Sequence, residues 1–374
     1  MKPLIEFHQK WQHLASPSFF IGGFLLDIVT LGRIDDLSNI LIFSFYLLVS
    51  FLVFFLELVN LQISIENGQP SSAPLPNWNF RGQSLEHWIN LYKDEVFHFA
   101  QGALLSGFTL FYFKSAELSS SLLFMTILLI PLIINEFNRV RELGIVIKSV
   151  FLNLTLMSFI LVYTPLPFGK VGLMVFSVGI LVYLIIATLL FQLFRHSKIS
   201  LELIKKYWLY PFLSLAIVFY GLRLFKAIPP VPLSLEMAGI YHKVEKQYPE
   251  YKLYHERKWW RFWHSSDEYF QAREEDRLYF FGRIFAPRGF EDRIYVRWLK
   301  YDNGDWRTSD RIPLTITGGR DKGFRGYTYK DNYTPGLWRV SVETSGGLEI
   351  GRLSFEVIKD HSTRERNFQV YIDK

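Results

Sequence analysis

Six polar side chains stand within or at the ends of long apolar runs: Asp27, Glu57, His98, Gln101, Glu136 and Lys148. Ionisable groups are costly in hydrocarbon, so such residues mark proton, ion or substrate pathways, or else reach water at a helix end. His98 titrates near neutral pH, and with Glu57 or Glu136 as partner it could handle protons or ions. Alternatively these residues end helices and pair with Arg139, Arg141 and Lys148. Asp27 directly follows the run Phe19 to Leu26 and fits a helix-terminal or loop-capping role. Two further sets lie downstream. Trp259, Trp260 and Trp263 interleave with Lys258 and Arg261, a pattern that stacks sugars, rests at lipid headgroups or builds a small core. Arg320 and Arg325 flank glycines and could hold an anion or carboxylate; they could equally fasten loops by pairing with Asp302, Asp305, Asp310 or Asp321.

Other chemistries are excluded or lack a signature. The chain has no cysteine, which removes disulfides, thiolate metal sites and cysteine nucleophiles. It has no phosphate-binding Gly-rich loop, nucleophile elbow or His-Glu-x-x-His helix. Asp302-Asn303-Gly304-Asp305 resembles the start of a calcium loop but lacks the bidentate glutamate, so no metal or cofactor is assigned. The net charge of +6 divides evenly: residues 1–226 hold 16 Lys and Arg against 13 Asp and Glu, and residues 227–374 hold 25 against 22. Such dilution argues against nucleic acid as a partner.

The elements that position these residues are of two kinds. Apolar runs at Ile40 to Leu56, Val96 to Phe113, Leu118 to Ile134, Ser149 to Leu166, Val171 to Phe194 and Tyr207 to Leu222 predict six membrane helices. Pro17 to Leu31 is a shorter seventh candidate, so the bundle has six or seven helices. Lys and Arg concentrate in alternate connections: Arg81 and Lys93, then Arg139 and Arg141, then Arg195, Lys198, Lys205 and Lys206. The intervening connections hold Lys114 and Lys170. The positive-inside rule then puts the first set in the cytoplasm and the chain after Leu222 outside.

At Ala227-Ile228-Pro229-Pro230-Val231-Pro232 the character changes. Residues 1–226 form the predicted membrane domain, residues 227–270 a Pro-rich spacer with an aromatic-basic connecting segment, and residues 271–374 a β domain. Ile294, Val296 and Trp298 alternate with Tyr295, Arg297 and Leu299, and a second unit at Trp338 to Val357 turns at Ser345-Gly346-Gly347. Its alternation slips phase at Gly351, where a bulge would restore one apolar face. Repeated short strands predict an immunoglobulin-like antiparallel sandwich, with Phe368, Val370 and Ile372 on a final edge strand.

The motifs Gly318-Gly319-Arg320, Gly323-Phe324-Arg325-Gly326, Pro335-Gly336-Leu337-Trp338-Arg339-Val340 and Ile350-Gly351-Arg352 through Phe355 resemble the bacterial family called domain of unknown function 2914. That resemblance implies an envelope protein with a β domain after a multi-helix membrane region, and carries no catalytic residues. The expectation is an inner-membrane protein, not identified as an enzyme, that presents a periplasmic sandwich. Its expected partners are the lipid bilayer together with envelope polysaccharide, peptidoglycan or a periplasmic protein. The alternative is a transporter or intramembrane enzyme built on the ionisable helix ends.

Overall fold

The computed structural model describes residues 31–67, 79–80, 83–116, 118–134, 144–256, 266–318, 323–362 and 365–373. The chain divides into a helical unit and a β unit, the latter comprising Lys114–Ser121, Pro165–Val175 and Pro229–Lys374.

The helical unit is built from α1 (Leu37–Glu66), α2 (Leu85–Lys114), α3 (Leu118–Ile134), α4 (Ile145–Tyr163), α6 (Leu173–His196) and α8 (Tyr210–Leu224). Short helices α5 (Pro165–Phe168) and α7 (Leu201–Ile204) lie between them, and a π-helical turn, Lys205–Leu209, leads into α8. A two-residue ribbon, β1 (Asn79–Phe80) with β2 (Gln83–Ser84), precedes α2. Five helical stretches are long and apolar enough to cross a membrane; the 17-residue α3 is shorter. Polarity runs inside out. Phe45, Leu48, Ile185, Leu189 and Ile217 are exposed, whereas Ser50, Gln101, Asn153 and Thr155 are buried, as suits a bundle whose outer solvent is hydrocarbon. This explains why α1 outlasts the apolar run that ends at Leu56: Asn60 and Ser64 are buried, so they do not meet lipid. Pro211 has no N–H to offer the Tyr207 carbonyl four residues back, and the Ser149 hydroxyl donates to that carbonyl instead.

The β unit begins at once after the prolines. Val231 N–H bonds the Pro229 carbonyl (2.9 Å) and Leu233 N–H bonds the Pro230 carbonyl (3.0 Å), a buried turn where the sequence suggests an extended spacer. Proline serves turns as readily as extended chain, so composition alone does not separate the two. The segment expected to connect the domains carries strands of its own: β3 (Ser234–Tyr241), β4 (Lys243–Gln247), β5 (Glu250–His255) and β6 (Tyr269–Ala272). Then follow β7 (Leu278–Phe285), β8 (Glu291–Asp302), β9 (Asp305–Thr317), β10 (Phe324–Lys330), β11 (Gly336–Thr344), β12 (Glu349–Lys359) and β13 (Gln369–Asp373).

An immunoglobulin-like sandwich results. One sheet has the order β10-β7-β3 and the other β6-β12-β11-β8-β9. Between them Phe280, Ile294, Val296, Trp298, Trp338, Val340, Phe355 and Val357 form one core, which also buries Val171. The Gly169 carbonyl accepts the Glu291 N–H at 3.0 Å. The bulge is present: Val342 pairs with Gly351 and Glu343 with Glu349, which leaves Ile350 as the extra residue. Asn303 (φ 50°) and Gly304 (φ 91°) form the β8–β9 turn, the role that Asn-Gly fills in tight hairpins. Gly318 is needed for close approach, since a Cβ there would lie 1.9 Å from the Pro287 carbonyl oxygen. A third sheet, β13-β5-β4, gives the last strand its partner. The parallel pair β6–β12 is the one departure from antiparallel pairing among the described strands.

Candidate functional site

Two ionic clusters emerge, one in each unit. In the β unit, the end of β3 delivers His242, which is nearly buried and lies flat on Phe270 at 4.0 Å between ring centroids. Its Nε2 faces Asp267 Oδ2 at 3.7 Å and Glu256 Oε2 at 4.0 Å, and its Nδ1 faces Asp276 at 3.9 Å. None of these is a hydrogen bond, and neither ring nitrogen has such a partner among the described residues. Arg366, brought in by the β13–β5 pairing, contacts Glu256 at 3.1 Å and Asp276 at 2.7 Å and donates to the Gln271 carbonyl at 2.6 Å. The parallel β6–β12 pair sets Arg273 against Asp360 at 2.7 Å.

Beside Arg273 and Asp360 opens a cavity of about 220 Å³, lined also by Tyr333, Asp331, Lys359 and His361. The Tyr333 hydroxyl donates to the Asp276 carbonyl at 2.9 Å, and the Arg273 N–H donates to the Asp276 carboxylate at 2.7 Å. The buried histidine is thus coupled through Asp276 to the cavity wall. The arrangement suits binding of a small polar group with both charges.

Burial holds the His242 imidazole down at about 3, reinforced by Arg366 and opposed by Asp276. Burial also pushes the Asp267 carboxyl up to about 8, while the Glu256 N–H opposes the rise. Glu256 is raised as well, again by burial first. Hydrogen bonds from Ser362, then Arg273, hold Asp360 below the ordinary carboxylate range. Folded Asp267 keeps its proton from its ordinary value of 3.8 up to about 8, where the unfolded chain has lost it, so stability falls as pH rises through that window. His242 has the opposite effect: only the unfolded imidazole gains a proton between about 6.5 and 3, so stability falls as pH drops there. The two slopes oppose below about pH 6.5, and an unopposed loss of at most about 2 kcal/mol remains between about 6.5 and 8. Thermal unfolding of the full chain should therefore show a falling midpoint across that range. Asp267→Asn should flatten it, and an unchanged slope in that variant would remove the assignment.

In the helical unit Lys148, nearly buried at 2% exposure, pairs with both Glu57 and Asp94, and Lys93 lies 3.9 Å from Glu57. The structure thus joins two of the residues singled out from sequence, Glu57 and Lys148, and adds Asp94. Lys148 is buried in this pairing and does not reach water. His98 and Gln101 follow Asp94 along α2 and are buried, Gln101 accepting a hydrogen bond from Thr155 at 3.2 Å. Asp27, Glu136, Trp259, Trp260, Trp263 and Arg320 lie outside the described residues. Arg325 bonds the Asp373 carbonyl at 3.2 Å and stands 5.2 Å from the Tyr251 ring centre, fastening the last strand. Two of the four aspartates named as alternative partners pair elsewhere, Asp302 with Arg307 and Asp310 with Lys330, and Asp321 lies outside the described residues.

Five apolar helices of spanning length and a sandwich domain define a multi-pass membrane protein with an immunoglobulin-like β domain. Within that class, residues 291–357 match the family model described as Protein of unknown function (DUF2914). The match runs from β8 to β12 and leaves out His242 and the helical unit. No curated protein matches the chain. Among solved structures, an immunoglobulin-like protein (PA1606) from Pseudomonas aeruginosa is 11% identical over 34% of this chain and 98% of its own, with a TM-score of 0.22. A β-glucosidase from Listeria innocua in complex with glucose is 14% identical over 24% of this chain, with a TM-score of 0.19, and the chain spans 15% of that enzyme. Neither brings an activity to this chain.

Proposed function

We propose that the chain is an envelope membrane protein that holds its β domain outside the cytoplasm to bind a small zwitterionic group, such as a peptide segment of the cell-wall polymer. The observation that carries the reading is the cavity beside Tyr333, whose wall brings Arg273 and Lys359 together with Glu274, Asp331 and Asp360. Charges of both signs across a small concave surface favour a ligand with both an ammonium and a carboxylate. The outward orientation rests on the Lys and Arg of alternate connections, including Arg195 in the last turn of α6 and Lys198 beyond it. Tyr248→Cys, on a 92% exposed residue, and His196→Cys, in the last turn of α6, use the cysteine-free background. A membrane-impermeant maleimide applied to intact cells with a permeabilised outer layer should label the first and spare the second. Soluble cell-wall peptides titrated into the purified full chain should bind, and Lys359→Glu should weaken binding at least tenfold. Labelling of His196→Cys alone, or binding indifferent to Lys359→Glu, would reject the proposal.

A further inference from the structure

We propose that the seam between α2 and α4 is a proton path through the helical unit. Along α2, Asp94, His98, Gln101, Thr109 and Tyr112 follow one another at intervals of four, three, eight and three, which keeps them on one helix face. Eighteen residues at 1.5 Å each rise about 27 Å, close to the roughly 30 Å of a hydrocarbon core. On α4, Lys148, Thr155 and Ser158 oppose them. Lys148 pairs with Asp94, Thr155 donates to Gln101 at 3.2 Å, and Ser158 faces the Tyr112 hydroxyl. From His98 to Tyr112 and from Lys148 to Ser158, the polar members are at most 2% exposed.

Gln101 Nε2 and Thr109 Oγ1 have no hydrogen-bond partner among the described residues, and Ser158 Oγ and the Tyr112 hydroxyl have none beyond each other. Each such group costs about 1–3 kcal/mol when buried. Apolar side chains of the same size would avoid that cost, and a seam that only packs helices has no use for four of them. A file of single waters satisfies these groups and links them into a relay of O–H and N–H donors. At one end the seam meets Glu57, Lys93, Asp94 and Lys148, two negative and two positive charges. That balance gives a metal cation or an anion no net attraction, while Glu57, Asp94 and His98 can each take up and release a proton. No group of the β domain takes part, so this proposal and the binding proposal fail separately.

The test uses the full chain in liposomes that enclose a pH-sensitive dye, with a potassium diffusion potential driving protons inward. Wild-type vesicles should acidify at least tenfold faster than protein-free ones. Gln101→Leu combined with Thr155→Val should cut the rate at least tenfold, as should Tyr112→Phe combined with Ser158→Ala, while the exposed Ser44→Ala leaves it unchanged. Elution and melting of each variant establish that it is folded. Wild-type acidification no faster than that of empty vesicles, folded seam variants that conduct like wild type, or a current carried by sodium or chloride without a pH change would each overturn the proposal.

Discussion

Lys148→Met is expected to cost the helical unit about 3–5 kcal/mol, the usual penalty for removing one partner of a buried ion pair. The ammonium is nearly buried and answers two carboxylates, Glu57 and Asp94. Asp94 is half exposed and can turn to water, but the Glu57 side chain is 13% exposed and would keep only Lys93, at 3.9 Å. The stranded charge is therefore chiefly that of Glu57. Adding Glu57→Gln to Lys148→Met should recover a large part of the loss, because an amide needs no counter-charge. Tryptophan fluorescence melting of the purified full chain reads both variants. If the single variant melts with wild type, or the double variant melts below the single one, the buried pairing has been misjudged.

The second large effect is expected at Trp298. Its indole is fully buried, pairs across strands with Val340, and meets Phe355 edge-on at 6.4 Å. Trp298→Ala would leave a large cavity at the centre of both sheets and should cost about 3–5 kcal/mol. Trp298→Phe keeps much of the apolar contact and also removes an indole N–H that has no partner among the described residues. The order of stability should be wild type or Phe first and Ala far below. Protease resistance of the β domain in the full chain is a direct readout, and equal losses for Phe and Ala would mean that packing at this site is not what holds the sheets together.

Much of this architecture is legible in the residues themselves. The apolar runs locate the helices because hydrocarbon demands them, and alternation locates β8, β11 and β12 because their apolar positions face the core. The strands β3 to β5 escape that reading: in β5 the buried positions are Tyr251, Leu253 and His255, so a histidine and a tyrosine stand where alternation looks for aliphatic residues. Of the ionic clusters, Glu57 and Lys148 stand out because they are charges beside apolar runs. Asp94 does not, although its spacing to His98 and Gln101 on one helix face was available as a signal. The His242 cluster has no local signature at all. Glu256, Asp267, Asp276 and Arg366 come from separate loops and strand ends, and only the pairings β13–β5 and β6–β12 bring them together. Arg325 shows the same dependence, since its partner Asp373 lies on the last strand.

That last strand has a bearing on biosynthesis. Gln369 to Asp373 pair with Tyr251 to His255, so β5 waits for nearly the whole domain to be made before it gains its second neighbour. Ribosomes deliver the β4–β5 hairpin early, with one edge open and His242 still wet. Arg366, arriving just ahead of β13, neutralises Glu256 and Asp276 at the same moment as the edge is closed. Completion of the polar cluster is thereby tied to synthesis of β13, and products stalled before it would display an open strand edge to quality-control proteases.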